Sequence, residues 1–109
     1  MDYHKLVFAV VRRIPAGRLT NYGAIADFLA LGSSRMVGWA LNNCSLGDGI
    51  PAHRVLNRKG ELSGRLHFGP GVMQKLLEAE GVEVIDDRAV DFKARFWDPV
   101  IELGDDFEP

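Results

Sequence analysis

A chain of 109 residues with a hydrophobic share of 47% is long enough for one domain with one modest core, and too apolar to remain disordered. It has no apolar run near the roughly 18 residues of a membrane span, no basic-then-apolar secretory signal at Met1-Asp2-Tyr3-His4-Lys5, and one cysteine, Cys44, too few for an internal disulfide or a paired-cysteine metal site. The net charge of −2 hides a polarity: residues 1–65 carry nine basic and four acidic side chains, net +5, whereas residues 66–109 carry four and eleven, net −7.

Such a chain is expected in the cytoplasm, as a monomer, with no cofactor. His4, His53 and His67 are scattered and lack metal-ligand spacing. A basic first half can meet phosphate even in an acidic chain, or the two signs can simply solvate two faces. The excess is small, so DNA affinity would be modest and salt-sensitive.

Tyr3 to Arg13 reads as a helix, because Tyr3, Leu6, Val7, Val10 and Ile14 recur at three- and four-residue steps after a capping Asp2. Pro15-Ala16-Gly17 ends it. Thr20 or Asn21 is placed to cap a second helix, about Tyr22 to Ala30, with Ile25, Phe28 and Leu29 as its stripe. Gly32 suits a sharp turn, and Ser33 or Ser34 caps a third helix, about Arg35 to Asn43. Val37, Ala40 and Leu41 fall on one side of it, and Arg35, Trp39 and Asn42 on another. Two short helices joined by a glycine-containing turn have the shape of a helix-turn-helix, a corner also found in domains that touch no nucleic acid. Arg35 in a first helical turn opposes the local dipole, which favours an anionic partner there.

Ile50-Pro51-Ala52-His53-Arg54-Val55 places two polar residues inside an apolar run, and Pro51 forces extended geometry before it. Val55-Leu56-Asn57 and Glu61-Leu62-Ser63 flank Arg58-Lys59-Gly60, which predicts a small hairpin. Gly64 to Gly71 reads as irregular. Val72 to Glu80 reads as a helix with Val72, the Lys75 stem, Leu76 and Ala79 inward and Gly81 as its stop. Val82 to Ile85 reads as a short extended piece, Trp97 as packed on the body, and Gly104 to Pro109 as loose. The expected fold is mainly α, one small domain over 1–109 with a winged-helix-like helix-turn-helix core, about 3–85, a short β-hairpin, and an acidic extension, 86–109.

The order Ile14-Pro15-Ala16-Gly17, Tyr22-Gly23, Arg35-Met36-Val37-Gly38, Ile50-Pro51-Ala52-His53-Arg54-Val55 and Glu80-Gly81 resembles the DNA-binding domain of the alkylguanine-DNA alkyltransferases over roughly residues 3–85. In that family the central motif is Pro-Cys-His-Arg-Val, and its cysteine accepts the alkyl group from a damaged guanine. Here Ala52 stands at that position. Alkyl transfer needs a thiolate, and a methyl side chain has no lone pair to attack with. Loss of this cysteine marks the alkyltransferase-like proteins, many of which carry Trp there.

The resemblance implies minor-groove binding by the helix-turn-helix and rotation of the damaged nucleotide out of the stack. It assigns the tyrosine that crowds the 3′ phosphate to Tyr22, and the arginine that fills the vacated space to Arg35. Ser34 and Trp39 join them on the DNA face. Pro51, Ala52, His53, Arg54 and Glu80 form the expected lesion pocket, with no catalytic residue among them. It also implies a partner in duplex DNA containing O6-alkylguanine, a hand-over to nucleotide-excision-repair proteins, and a place in the bacterial cytoplasm or nucleoid. Three features depart from the family pattern. The interval from Tyr22 to Arg35 is one residue short, Cys44 stands where an asparagine is usual, and the lid reads Arg65-Leu66-His67-Phe68 without the usual tyrosine. Two other readings stay open at this stage: a residual transferase using Cys44, and an interaction module that no longer binds DNA.

Overall fold

The computed structural model describes residues 2–44 and 48–109. Helix α1 spans Tyr3–Val11, and Asp2 caps it by accepting the His4 amide at 2.9 Å. Val7, Val10, Val11 and then Ile14 are buried along its inner side. Strand β1 is Thr20–Asn21 and helix α2 is Tyr22–Phe28. Of the two candidate caps, Asn21 acts; its side-chain oxygen accepts the Ala24 amide at 2.7 Å. Helix α3, Ser34–Leu41, is capped by Ser33 and buries Val37, Ala40 and Leu41.

The corner between α2 and α3 turns at a different residue from the one expected. Gly32 has no positive φ; Ala30 does, at 55°. The Ala30 amide donates to the Asp27 carbonyl at 3.2 Å and the Leu31 amide to the Ala26 carbonyl at 2.9 Å. This paired closure is the Schellman ending, in which glycine is the usual left-handed residue. Alanine there holds its Cβ against the backbone at a cost of roughly 1 kcal/mol.

The predicted hairpin over 55–63 does not form as a strand pair. Its turn does: Gly60 adopts φ 78°, its amide donates to the Asn57 carbonyl, and the Asn57 side chain accepts the Lys59 and Glu61 amides. The two arms then take other partners. Val55–Leu56, strand β2, pairs in parallel with β1, Thr20 opposite Val55 and Asn21 opposite Leu56. Glu61 instead bridges Arg88. The actual hairpin joins β3, Val84–Ile85, to β4, Arg88–Ala89. Its two loop residues, Asp86 and Asp87, both have positive φ, the backbone of a type I′ turn.

Between the two sheets, the segment read as irregular contains one helical turn, α4, Arg65–Phe68. Helix α5, Val72–Ala79, is rotated from its expected phase. Met73 and Leu77 are buried, Val72 and Leu76 only half-buried, and Lys75 and Ala79 exposed. This phase puts the bulkier pair into a core with Leu19, Leu56, Leu62 and Val82, which removes more apolar surface from water. Gly81, φ 85°, ends α5, with the Val82 amide donating to the Leu77 carbonyl and the Gly81 amide to the Glu78 carbonyl. That ending leaves Glu80 as the helix cap.

A second core gathers α1, α2 and α3 with Ala52, Val55 and Trp97. The strand pair separates the two: Val55 faces one core and Leu56 the other, as alternation along a strand requires. The extension adds α6, Phe92–Arg95, and α7, Pro99–Glu102. Trp97 is buried as expected, and its amide donates to the Leu19 carbonyl. The terminus expected to be loose is packed. Phe107 meets Phe28 edge-on at 5.4 Å between ring centres, and the Arg13 guanidinium lies 5.5 Å from the Phe107 ring centre. Among the described residues, no helix is long and apolar enough to cross a membrane.

Ala30→Gly is expected to raise stability by about 0.5–1 kcal/mol, because relief of the left-handed strain exceeds the extra chain entropy of glycine. Urea unfolding of the two proteins measures this; a lower midpoint for the glycine variant would refute the strain argument.

Candidate nucleic-acid interface

Pro51 has φ −78° and ψ 62°, and the Ala52 amide donates to the Ile50 carbonyl at 2.8 Å. This is an inverse γ-turn, a shape that proline's fixed φ favours. One 3₁₀ turn, Ala52–Arg54, follows, and then β2. The sharp bend turns the Ala52 methyl into the core, where the residue is 5% exposed. It sends the next two side chains to a single acceptor, Glu80.

Glu80 is almost fully contacted. Its carboxylate lies 2.8 Å from His53 Nε2 and accepts the Arg54 Nη2–H at 2.6 Å and the Arg54 Nε–H at 3.0 and 3.1 Å. The Gly17 amide donates to Glu80 Oε1 at 3.1 Å. Arg54 Nη1 donates to the Ile14 carbonyl at 2.7 Å, which ties the end of α1 to the same group. Burial alone would raise the Glu80 pKa, but the donors from Arg54, His53 and Gly17 outweigh it and bring the carboxyl down to about 2. Glu80 is therefore an anion at any physiological pH, and its charge is spent on the fold.

A second group of residues surrounds Tyr22 at the start of α2. With Gly38 and Asn42 of α3 and with Ser63, Gly64, Leu66 and His67, Tyr22 lines a cleft of about 440 Å³. Gly64 leaves room for the Tyr22 hydroxyl, since a Cβ there would lie 2.9 Å from it and push the phenol aside. Burial pushes the Tyr22 phenol pKa up, and a hydrogen bond with Ser63 partly opposes this. The phenol thus stays neutral and can lie beside a phosphate without repulsion. His67 Nε2 lies 2.9 Å from the Cys44 carbonyl, which fastens the lid turn to the end of α3. His67 is exposed and is held to the body by this contact.

On the outer face of α3, Ser34 and Arg35 are exposed and Trp39 is 57% exposed. The Arg35 side chain has no hydrogen-bond or ion-pair partner among the described residues. Pro51, His53 and Arg54 line a different cleft, of about 380 Å³, and Ala52 lines neither. Of the residues expected as one lesion pocket, His53, Arg54 and Glu80 form one hydrogen-bonded cluster, Pro51 lines a cleft with His53 and Arg54, and Ala52 is turned into the core, while Tyr22 and His67 line a separate cleft. Cys44 is buried, its thiol donates to the Leu41 carbonyl at 3.1 Å, and burial raises its pKa.

Residues 2–82 match the family described as 6-O-methylguanine DNA methyltransferase, DNA binding domain. The chain belongs to that family. Within it, the chain is 37% identical over 94 residues to a DNA base-flipping protein of Vibrio parahaemolyticus, covering 85% of this chain and 93% of the relative. It is 31% identical over 104 residues to alkyltransferase-like protein 1 of Schizosaccharomyces pombe, covering 90% and 96%. The crystal structure of S. pombe Atl1 in complex with damaged DNA containing O6-carboxymethylguanine superposes with a TM-score of 0.81 at 30% identity, over 91% of this chain and 98% of that one. Among family relatives, the methylated-DNA–protein-cysteine methyltransferase of Mycobacterium tuberculosis matches over 82 residues at 37% identity, which is 72% of this chain and 48% of the relative.

Sequence reasoning missed four contributors to this family site: the Gly17 amide, the Ile14 carbonyl, Gly64, and the tie from His67 to Cys44. Ile14 and Gly17 carried a signal, as part of the Ile14-Pro15-Ala16-Gly17 motif. Gly64 acts through the absence of a side chain, and His67 through a backbone carbonyl far away in the chain.

The depressed Glu80 pKa gives its contribution a sign. The unfolded chain binds the Glu80 proton near 4.5 and the folded chain near 2, so the stabilisation is complete above about 4.5 and is lost as the pH falls to about 2. Glu80→Gln is expected to cost on the order of 3 kcal/mol at neutral pH, since it strands the Arg54 guanidinium. Denaturant titrations from neutral pH to about 2 should show the gap between the proteins closing across that window; a gap independent of pH would contradict the assignment.

Proposed function

We propose that this protein senses O6-alkylguanine in duplex DNA by turning the nucleotide out of the stack, holds it without removing the alkyl group, and hands the lesion to nucleotide-excision repair. The single observation that carries the reading is the buried methyl group of Ala52 at the acceptor position of the family motif. Displacement at the alkyl carbon needs a sulfur lone pair, and nothing at position 52 supplies one. Cys44 is no substitute, because its thiol is buried, hydrogen-bonded and held protonated.

The other residues take roles that fit binding. Arg35, exposed and unpaired at the start of α3, enters the duplex where the rotated nucleotide leaves. Ser34 and Trp39 contact the adjoining backbone from the same helix. Tyr22 presents its neutral phenol to the phosphate beside the lesion. Pro51, His53 and Arg54 form the wall behind the base, and Glu80 holds that wall in place through His53 and Arg54. Residues 1–109 act as one unit, since Trp97 of the extension completes the core of α1, α2 and α3. The relatives' names and the Atl1 complex with damaged DNA support this reading. The reading places the protein with the DNA in the cytoplasm or nucleoid, acting as a monomer.

Fluorescence titration with lesion and undamaged duplexes tests it. Tyr22→Ala and Arg35→Ala are expected to lower affinity for the lesion duplex by at least about tenfold each, as loss of a pivotal interface side chain does. Unchanged affinity in both variants would favour an interaction module that no longer binds DNA. Intact-mass measurement after incubation with alkylated DNA should show no gain; a gain abolished by Cys44→Ser would establish a transferase.

A further inference from the structure

The acidic half of the chain conceals a basic surface. After residue 65 there are only four basic side chains, Lys75, Arg88, Lys93 and Arg95. Two of them, Arg88 and Lys93, line one cleft of about 510 Å³ together with Arg58 and Lys59 of the Asn57–Gly60 turn. The fold brings these segments together through Gly60. The Ala89 amide donates to the Gly60 carbonyl at 2.9 Å, and Phe92 lies so close that a Cβ on Gly60 would sit 2.9 Å from its side chain. Glu61 takes up Arg88, at 3.6 Å, and Asp91 stands at the rim. Arg58, Lys59 and Lys93 are exposed, and their side chains have no hydrogen-bond or ion-pair partner among the described residues. Arg58, Lys59, Arg88 and Lys93 outnumber Asp91 in the cleft and the neighbouring Glu61, whose carboxylate Arg88 and Lys59 stabilise, so the cleft keeps a positive excess that an external polyanion neutralises.

The strand pairing sets where this cleft faces. β1 and β2 run parallel and in register, so the residues that follow them leave the sheet at the same end. Tyr22 follows β1, and the Asn57–Gly60 turn follows β2. The chain then continues from this turn to Gly64, which touches the Tyr22 hydroxyl. The basic turn and Tyr22 therefore leave the strand pair at the same end.

We propose that Arg58, Lys59 and Lys93 form a second DNA-backbone site, which holds phosphates of the duplex flanking the position that Tyr22 faces. The site rests on the DNA-binding reading above and extends it to the extension, residues 86–109. Duplex backbone fits better than a free nucleotide, because the cations sit on separate surface segments around an open cleft. Contacts of this kind add affinity without reading sequence or damage.

Binding of the full chain to undamaged and O6-methylguanine duplexes, measured between about 50 and 200 mM salt, tests the site. Each phosphate contact contributes about 0.9 to the slope of log affinity against log salt, so Arg58→Gln/Lys93→Gln should flatten that slope by about 2. A fourfold rise in salt would then weaken the wild type about tenfold more than the variant. The ratio of lesion to undamaged affinity should not change. Lys75→Gln, an exposed cation outside the cleft, should leave the slope alone. An unchanged slope in the double variant, or an equal loss with Lys75→Gln, overturns the proposal. If the double variant fails to fold, Lys93→Gln alone should change the slope by about 1. A flattened slope in a protein with no lesion preference overturns the damage-sensing reading and leaves this site standing.

Discussion

The contacts of the Glu80 carboxylate with Arg54, His53 and the Gly17 amide are the constraint on which the rest of the interface depends. One nearly buried anion fixes three separate parts of the chain. The turn after α1, the 3₁₀ turn after Pro51 and the end of α5 can only be placed together if they meet at this group. An unpaired carboxylate at such depth would be very costly, whereas a fully contacted one is tolerable and strongly orienting. These contacts hold the 3₁₀ turn Ala52–Arg54 in position.

The extension reinforces this arrangement. Arg95 donates to the Gly17 carbonyl at 3.0 Å and to the Gly81 carbonyl at 2.8 Å, one on each side of Glu80 along the fold. Arg18 reaches the other way and donates to the Arg95 and Phe96 carbonyls. Residues beyond the family match at 2–82 therefore brace the match itself. This brace explains why an acidic, partly polar stretch keeps a defined place: its own cations and Trp97 are the groups that hold it.

Recognition of the chemistry required very little structure. That residue 52 is an alanine, in a chain that also carries His53, Arg54 and Glu80, is legible as a list of letters, because folding cannot supply a sulfur that the sequence lacks. The helices α1, α2 and α3 were equally legible, since caps and three-to-four-residue spacing act within one or two turns. The errors cluster where the outcome depends on distant partners. The arms of the 57–60 turn join β1 and Arg88 because those were available in space. Helix α5 rotates because a core formed by Leu19, Leu56 and Leu62 receives Met73 and Leu77 better than it would receive Val72 and Ala79.

By itself, then, the order of residues determined the helix-turn-helix, the absence of a sulfur at position 52, and the polarity of charge along the chain. Only the tertiary structure decided which strands pair, which side of α5 is buried, where the left-handed corner falls, and that cations from an acidic segment share a cleft with Arg58 and Lys59. The physical reason is range. Capping, periodicity and nucleophilicity are properties of a few neighbouring atoms, whereas strand partners, helix phase and shared clefts are settled by competition among segments far apart in the chain for the same buried space.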